Sequence, residues 1–194
     1  MRENIQLSIN GMIGINELIL KGEIVVFGST YMANFPLYEF INKYHFENAI
    51  YNRSIAGLTT SEALEIVQDC IISIRPAKIF IALGEEDENN IDAIKQYNQI
   101  IKRIRSALPN SKIYLICLQG NTPYVERFNA NILSLCDNKQ IWNIRFIASS
   151  NTETNVYKTQ FKQLSCFFRA KPLTMVEAFA MANYHDIGSF KGCE

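Results

Sequence analysis

Four short segments rich in glycine, hydroxyl, amide and carboxylate groups follow apolar runs of the chain. They are residues 28–30, 52–57, 84–88 and 118–121. Their hydroxyl groups could act as nucleophiles, and their carboxylates could act as bases or hold a hard cation. Phosphate-binding glycine loops are excluded, because no Gly-x-Gly-x-x-Gly follows the first apolar run and Gly-Lys-Ser/Thr occurs nowhere. The segments therefore predict a backbone-lined site built on strand ends.

Five apolar runs are predicted to be the strands that carry these segments. They are residues 23–28, 49–53, 78–83, 112–118 and 141–148. Because the strong runs are continuously apolar rather than alternating, both faces of the sheet are covered, as in a parallel sheet between helices. Ligands bind such sheets beyond the carboxyl ends of the strands.

Helix signals lie between the apolar runs. Two are capping boxes, at Thr59/Glu62 and Thr174/Glu177. The others are an apolar repeat at three–four spacing over residues 91–108 and an N-cap followed by proline at Thr122–Pro123. The polar stretch at residues 149–160 is predicted to be a surface loop. Alternating strands and helices predict an α/β fold, a three-layer α/β/α sandwich with a doubly wound five-stranded parallel sheet.

The composition is that of an average globular domain. The chain has 194 residues, 48% of them hydrophobic and 20% charged, and its net charge of zero excludes a phosphate-driven nucleic-acid binder. We expect one domain over residues 1–194, with a core at about 21–184 and a flexible tail at 185–194. The five dispersed cysteines form no Cys-x-x-Cys pair, and no apolar stretch has membrane-spanning length. We therefore expect a cytoplasmic protein without a disulfide framework or a membrane partner.

Three of the segments, in chain order, resemble the motif blocks of the SGNH (GDSL-type) hydrolases. Gly28-Ser29-Thr30 is similar to the Gly-Asp-Ser block, residues 52–60 to the second block, and Gly84-Glu85-Glu86-Asp87 to the Gly-x-Asn-Asp block. The resemblance spans about residues 21–182 and implies the same three-layer fold. It also implies that Thr30 occupies the nucleophile's position and that the Gly57 N–H donates to the oxyanion. Glu86 then occupies the position of an asparagine donor.

The residues that perform the family's chemistry are not retained. Thr30 stands where the family has serine, and Ser29, which replaces its aspartate, could be the nucleophile only if the turn is shifted by one residue. Unless it is protonated, Glu86 opposes the developing oxyanion, and losing one such donor costs about a hundred- to a thousand-fold in rate. The family's Asp-x-x-His, expected within residues 167–174, occurs nowhere in the chain. The ordinary triad is therefore absent.

A few residues remain as substitutes for the missing groups. Lys171 could activate a hydroxyl in a Ser–Lys arrangement, and His185 could act as a base, although exposed positions are the simpler interpretation of both. His45 is interpreted as structural or exposed. Arg53 or Arg169 could pair with Glu86, or bind a carboxylate or phosphate ligand in bidentate fashion, or lie on the surface.

The acidic run at residues 85–88 has two interpretations. Its carboxylates could hold a metal ion, or they could form the acidic first turn that precedes the predicted helix. We favour the second interpretation and expect no metal and no cofactor.

Two functions are consistent with this sequence. The first is a pseudo-hydrolase that binds a small molecule or a partner at the former active-site face, with Gly28, Arg53, Gly84, Asp87 and Arg169 as candidate binding residues. The second is an active ester or acyl hydrolase that uses Ser29 or Thr30 with Lys171 or Glu86 as the base. Its substrate would be an ester such as an acylated carbohydrate. We favour the first, because triad members act as a unit.

Overall fold

A computed structural model describes residues 2–46, 48–146 and 156–168 of the protein. Five parallel strands lie in the order β2-β1-β3-β4-β5. They are β1 Ile24–Gly28, β2 Ile50–Asn52, β3 Lys78–Ala82, β4 Lys112–Ile116 and β5 Ile141–Ile144. Each strand lies within one predicted run, so the predicted five-stranded parallel sheet is confirmed.

The helices in the described part of the chain occupy the connections between the strands and the segment before β1. They are α1 Glu3–Gly14, α2 Thr30–Ala33, α3 Leu37–Tyr44, α4 Thr60–Val67, α5 Ala93–Ala107, α6 Pro123–Leu135 and α7 Val156–Phe168. A 3-10 turn at Asn16–Leu18 follows α1, and a π-helical turn at Gln68–Ile72 follows α4. None of these helices combines the length and the apolar character that a membrane crossing requires.

Two helix starts are those that the sequence predicts. The Thr59 hydroxyl accepts from the Glu62 N–H at 3.3 Å, and the Glu62 carboxylate accepts from the Thr59 N–H at 3.2 Å, which completes the capping box of α4. The Thr122 hydroxyl accepts from the Val125 N–H at 3.3 Å and caps α6. The second predicted capping box, at Thr174, lies outside the described residues.

The prediction of a surface loop at residues 149–160 is wrong for its last part, because α7 begins at Val156. Residues 158–160 continue the polar stretch that precedes the helix, so its start is concealed in the sequence. Phe161, Leu164 and Phe168 lie at three–four spacing and are fully buried against the sheet, so tertiary packing stabilises this helix. Helices α1, α2 and α3 were also not predicted.

Two hydrophobic layers cover the two faces of the sheet. Alternate residues of β1 face opposite layers: Val25 and Phe27 belong to the layer of α1, α4, α5 and α6, whereas Ile24 and Val26 belong to the layer of α3 and α7. The predicted α/β/α sandwich is therefore confirmed.

The chain order of the sheet reverses between β1 and β3. The connection after β1 leads to β2 on one side, and β3 begins the other half of the sheet. The carboxyl ends of β1 and β3 therefore flank the crevice where this class of sheet binds ligands. Residues 28–30 and 84–88 lie at that crevice.

Candidate functional site

The Thr30 hydroxyl is the meeting point of the loops that follow β1, β2 and β3. Thr30 is the first residue of α2 and is separated from the end of β1 by Ser29 alone. Its Oγ1 donates to Glu86 Oε1 at 2.5 Å and accepts from the Gly57 N–H at 2.8 Å. The fold thus brings together three of the residues that the sequence singled out.

Ser29 differs from Thr30 in exposure and in partners. It is fully buried, and its hydroxyl has no hydrogen-bond partner among the described residues. Its N–H donates to the Ala82 carbonyl at 3.0 Å, so its backbone holds β1 against β3. Of the two candidate nucleophiles, only Thr30 has a hydroxyl that contacts Glu86 and Gly57.

Glu85 lies beside this contact and is bound to the same helix start. Its Oε1 accepts from the Tyr31 N–H at 2.7 Å. The first N–H groups of a helix have no partner within the helix, so they are donors available to an anion. Burial raises the pKa of the Glu85 carboxyl, the Tyr31 N–H lowers it, and the neighbouring Glu86 raises it further. The Glu85 carboxylate therefore occupies one of the backbone donors at the start of α2.

Gly57 is held in place by Arg2, which the sequence analysis did not identify. The backbone of Gly57 has φ +79°, which favours glycine. The Arg2 guanidinium donates to the Gly57 carbonyl and forms an ion pair with Glu62, with Nη2 to Oε2 at 2.7 Å. The hydrogen bond from Arg2 is the main reason that the pKa of Glu62 falls to about 2. No local motif links these residues, because Arg2 lies 55 positions before Gly57.

Asp87 has its carboxylate inside the fold. It is 1% exposed and accepts from the Thr60 N–H at 2.9 Å and from Asn90 Nδ2 at 2.9 Å. These contacts join the loop after β3 to the start of α4. The structure thus gives Asp87 a positioning role between the two loops of the site.

Gly28 and Gly84 allow the close approach of the backbone at the site. A Cβ on Gly28 would lie 2.7 Å from the Ala82 carbonyl oxygen. Gly84 has φ +110°, and a Cβ there would lie 2.4 Å from the Phe128 ring. The Gly84 carbonyl accepts from the Tyr124 hydroxyl at 2.6 Å. Both glycines therefore shape the crevice through their backbones.

Arg53 neither pairs with Glu86 nor lies on the surface, which were two of the alternatives for this residue. It is 2% exposed, and its Nη1 donates to the Met12 carbonyl at 2.7 Å, at the end of α1. Burial lowers the pKa of its guanidinium. Arg53 therefore connects the loop after β2 to α1.

Four further residues were considered in the sequence, and the structure describes one of them. His45 is the exposed residue after α3 and precedes β2, so it lies toward the amino end of the sheet, away from the crevice. Arg169, Lys171 and His185 lie outside the described residues.

The carboxylates at residues 85–88 do not converge on one point. Glu85, Glu86 and Asp87 contact Tyr31, Thr30 and Thr60 respectively. The part of the chain that the structure describes contains no group of three His, Cys, Asp or Glu residues that could hold a metal ion.

A cavity of about 190 Å³ adjoins Glu85 at the carboxyl ends of β3 and β4. Its lining includes Tyr31, Glu88, Leu118 and Tyr124, so it lies between the start of α2 and the start of α6. Residues 118–121 were predicted to contribute to the site, and Leu118 and Gln119 line this cavity.

The sequence matches no protein-family model and no curated protein. Solved structures do match. A proposed platelet activating factor from Streptococcus pneumonia superposes with a TM-score of 0.73 at 16% identity, over 86% of this chain and 94% of that chain. A GDSL-like lipase from Bacteroides thetaiotaomicron VPI-5482 gives 0.60 at 13% identity, over 89% and 92%. AlinE4, an SGNH-hydrolase family esterase, gives 0.54 at 14% identity, over 85% and 98%. These likenesses establish the fold: the chain has the α/β/α architecture of the SGNH hydrolases.

Proposed function

We propose that the protein is a pseudo-hydrolase, which binds a small molecule or a partner at the former active-site face and does not cleave esters. The observation that carries the proposal is that two backbone N–H donors near Thr30 already have acceptors within the protein. The Gly57 N–H and the Tyr31 N–H, which face the crevice, donate to Thr30 Oγ1 and to Glu85 respectively. A substrate carbonyl would have to displace these contacts to be activated.

The charge at the crevice also opposes hydrolysis. Ester cleavage develops negative charge on the carbonyl oxygen, and stabilising that charge is usually the largest catalytic contribution. Here Glu86 lies 2.5 Å from the Thr30 hydroxyl, where the resemblance places an asparagine donor. A carboxylate at this position raises the energy of the oxyanion that forms on the substrate when Thr30 attacks its carbonyl carbon.

Ester hydrolysis also requires a base that accepts the proton of the nucleophile. A general base is most effective when its pKa lies near the working pH, and histidine is the usual choice. The sequence contains two histidines and no Asp-x-x-His. These facts support a binding role for the crevice.

One observation favours the second candidate, an ester or acyl hydrolase. The 2.5 Å contact between Thr30 Oγ1 and Glu86 Oε1 has the geometry of a nucleophile and its base. In that mechanism Glu86 would accept the Thr30 proton, and the alkoxide would attack the ester carbonyl. The alcohol would leave with the proton that Glu86 had accepted, and water would then hydrolyse the threonyl ester, which releases the acid and restores the Thr30 hydroxyl.

Turnover of short-chain p-nitrophenyl esters and of acetylated oligosaccharides separates the two candidates. We expect wild type, Thr30→Ala and Glu86→Gln to give the same rate as buffer. Ser134→Ala, which removes an exposed hydroxyl on α6, is the matched control. A wild-type rate that both site variants abolish and the control retains would establish the hydrolase and overturn the proposal.

A further inference from the structure

The cavity beside Glu85 is small and is lined by two carboxylates and two aromatic rings. Its volume of about 190 Å³ is below the roughly 300–1,000 Å³ of sites for drug-sized ligands, so it suits a smaller molecule. Glu85 and Glu88 line it, together with Tyr31 and Tyr124, and no lysine, arginine or histidine among the described residues does so. The lining is therefore acidic and aromatic.

We propose that this cavity binds a small organic cation, with an ammonium group between the two carboxylates and its alkyl part against the aromatic and aliphatic wall. This inference deepens the proposed function and rests on it, because it names the ligand class of the same face.

The carboxylates supply the charge and the acceptors for an ammonium group. Among the described residues, only the Tyr31 N–H donates to Glu85, through Oε1, so Oε2 is available to a ligand. Glu88 is exposed and lines the same cavity. Burial disfavours the charged form of Glu85, which raises its pKa, and a bound cation offsets that penalty. Hydrogen bonds between an ammonium group and a carboxylate are among the strong ones.

The rings and aliphatic side chains supply the apolar wall. The Tyr124 hydroxyl donates to the Gly84 carbonyl and the Tyr31 hydroxyl to Gln160, so a ligand meets the rings of these residues rather than free hydroxyl donors. Ile116 and Val125 complete the wall. Aromatic rings attract cations electrostatically, and this attraction is stronger when the cation is desolvated.

An anionic ligand fits this cavity less well, although α6 begins at its edge. The positive end of a helix favours anions. At this helix, however, the Thr122 hydroxyl already accepts from the Val125 N–H, Pro123 has no N–H, and Glu126 places a carboxylate in the first turn. Arg127, with its guanidinium 6.0 Å from the centre of the Tyr124 ring, does not line the cavity.

Calorimetric titration of the full chain tests this proposal. The probes are n-butylammonium and tetramethylammonium, with n-butanol as the neutral analogue and butyrate as the anionic one. We expect saturable binding of both cations. We expect binding of n-butanol and butyrate to be weaker by about tenfold or more, because n-butanol lacks the positive charge that the two carboxylates attract and butyrate carries the opposite charge.

Variants assign the binding to the cavity. Glu85→Gln and Glu88→Gln should each weaken n-butylammonium binding by about tenfold, whereas Glu65→Gln, at an exposed position on α4, should leave it unchanged. Glu88→Gln removes an exposed carboxylate, so it keeps the test interpretable if Glu85→Gln unfolds. Equal binding of n-butylammonium and n-butanol, or equal affinity in wild type and Glu88→Gln, would overturn the inference.

The ester assay separates this inference from the proposed function. A protein that cleaves esters and binds the cations would overturn the pseudo-hydrolase and leave the cation site standing. A protein that does neither would overturn the cation site alone.

Discussion

Thr30 Oγ1 and Glu86 Oε1 lie 2.5 Å apart and join the start of α2, after β1, to the loop that follows β3. Because β1 and β3 are neighbours in the sheet, this hydrogen bond spans the crevice at the point where the strand order reverses. The same Thr30 oxygen accepts from Gly57, so the loop after β2 is joined to it as well. A ligand that enters here meets a closed set of hydrogen bonds and two carboxylates.

Replacement of Gly57 by alanine should strain the backbone of the site, and Gly22→Ala is a matched control. The two residues have φ +79° and φ +81°, so each substitution should cost roughly 1–2 kcal/mol of backbone strain. A Cβ on Gly22 has no atom within 4 Å, whereas a Cβ on Gly57 lies 3.4 Å from Arg2 Nη1. Because 3.4 Å is an ordinary van der Waals distance to the end of a flexible side chain, we expect Gly57→Ala and Gly22→Ala to lose similar stability in urea unfolding. A clearly larger loss in Gly57→Ala would contradict this expectation and show that the Arg2 guanidinium cannot give way.

Gly84→Ala should destabilise the fold by about 3 kcal/mol or more, since backbone strain adds to overpacking. Gly120→Ala separates the two effects, because Gly120 has φ +109° against φ +110° for Gly84, but its nearest atom would be 3.9 Å from the Cβ. Phe128→Leu should reduce the penalty of Gly84→Ala, because the ring is the atom group that the new Cβ meets at 2.4 Å. Additive losses in this double-mutant cycle would show that the clash is relieved elsewhere.

The ion pair between Arg2 and Glu62 predicts a stability that depends on acid pH. The hydrogen bond from Arg2 holds the pKa of folded Glu62 at about 2, below its ordinary value of 4.5. Because the folded pKa is depressed, this stabilisation is complete above pH 4.5 and is lost as the pH falls toward 2. We expect the stability difference between wild type and Glu62→Gln to be larger at pH 6 than at pH 3. A stability difference that does not change with pH would show that the ion pair does not contribute to the stability of the fold.

The strands and the capped helices could be predicted because their signals are local. A short, continuously apolar run such as β3, bounded by turn residues, indicates a strand buried on both faces. The N-cap Thr59 is followed three residues later by its partner Glu62. The position of Thr30 against Glu86 followed from the order of the blocks, although the hydrogen bond itself did not.

The features that could not be predicted depend on contacts between distant segments. Arg53 has the sequence context of a surface or ligand-binding arginine, but its guanidinium is buried against the carbonyl of Met12, 41 residues away. Helix α7 begins within a mainly polar stretch of the sequence and is stabilised by side chains such as Phe161 that pack on the sheet. The cavity beside Glu85 combines residues from four parts of the chain, so no single motif indicates it.

Helix α1 is fastened at both ends to the loop that carries Gly57. Arg2, before its first turn, donates to the Gly57 carbonyl, and Arg53, from the same loop, donates to Met12 in its last turn. Helix and loop therefore form a closed ring of contacts, in which each end depends on the other. A chain shortened past Met12 would leave the buried Arg53 guanidinium without this acceptor and the Gly57 peptide without Arg2. Measurements on such a chain would describe a different crevice from that of the intact protein.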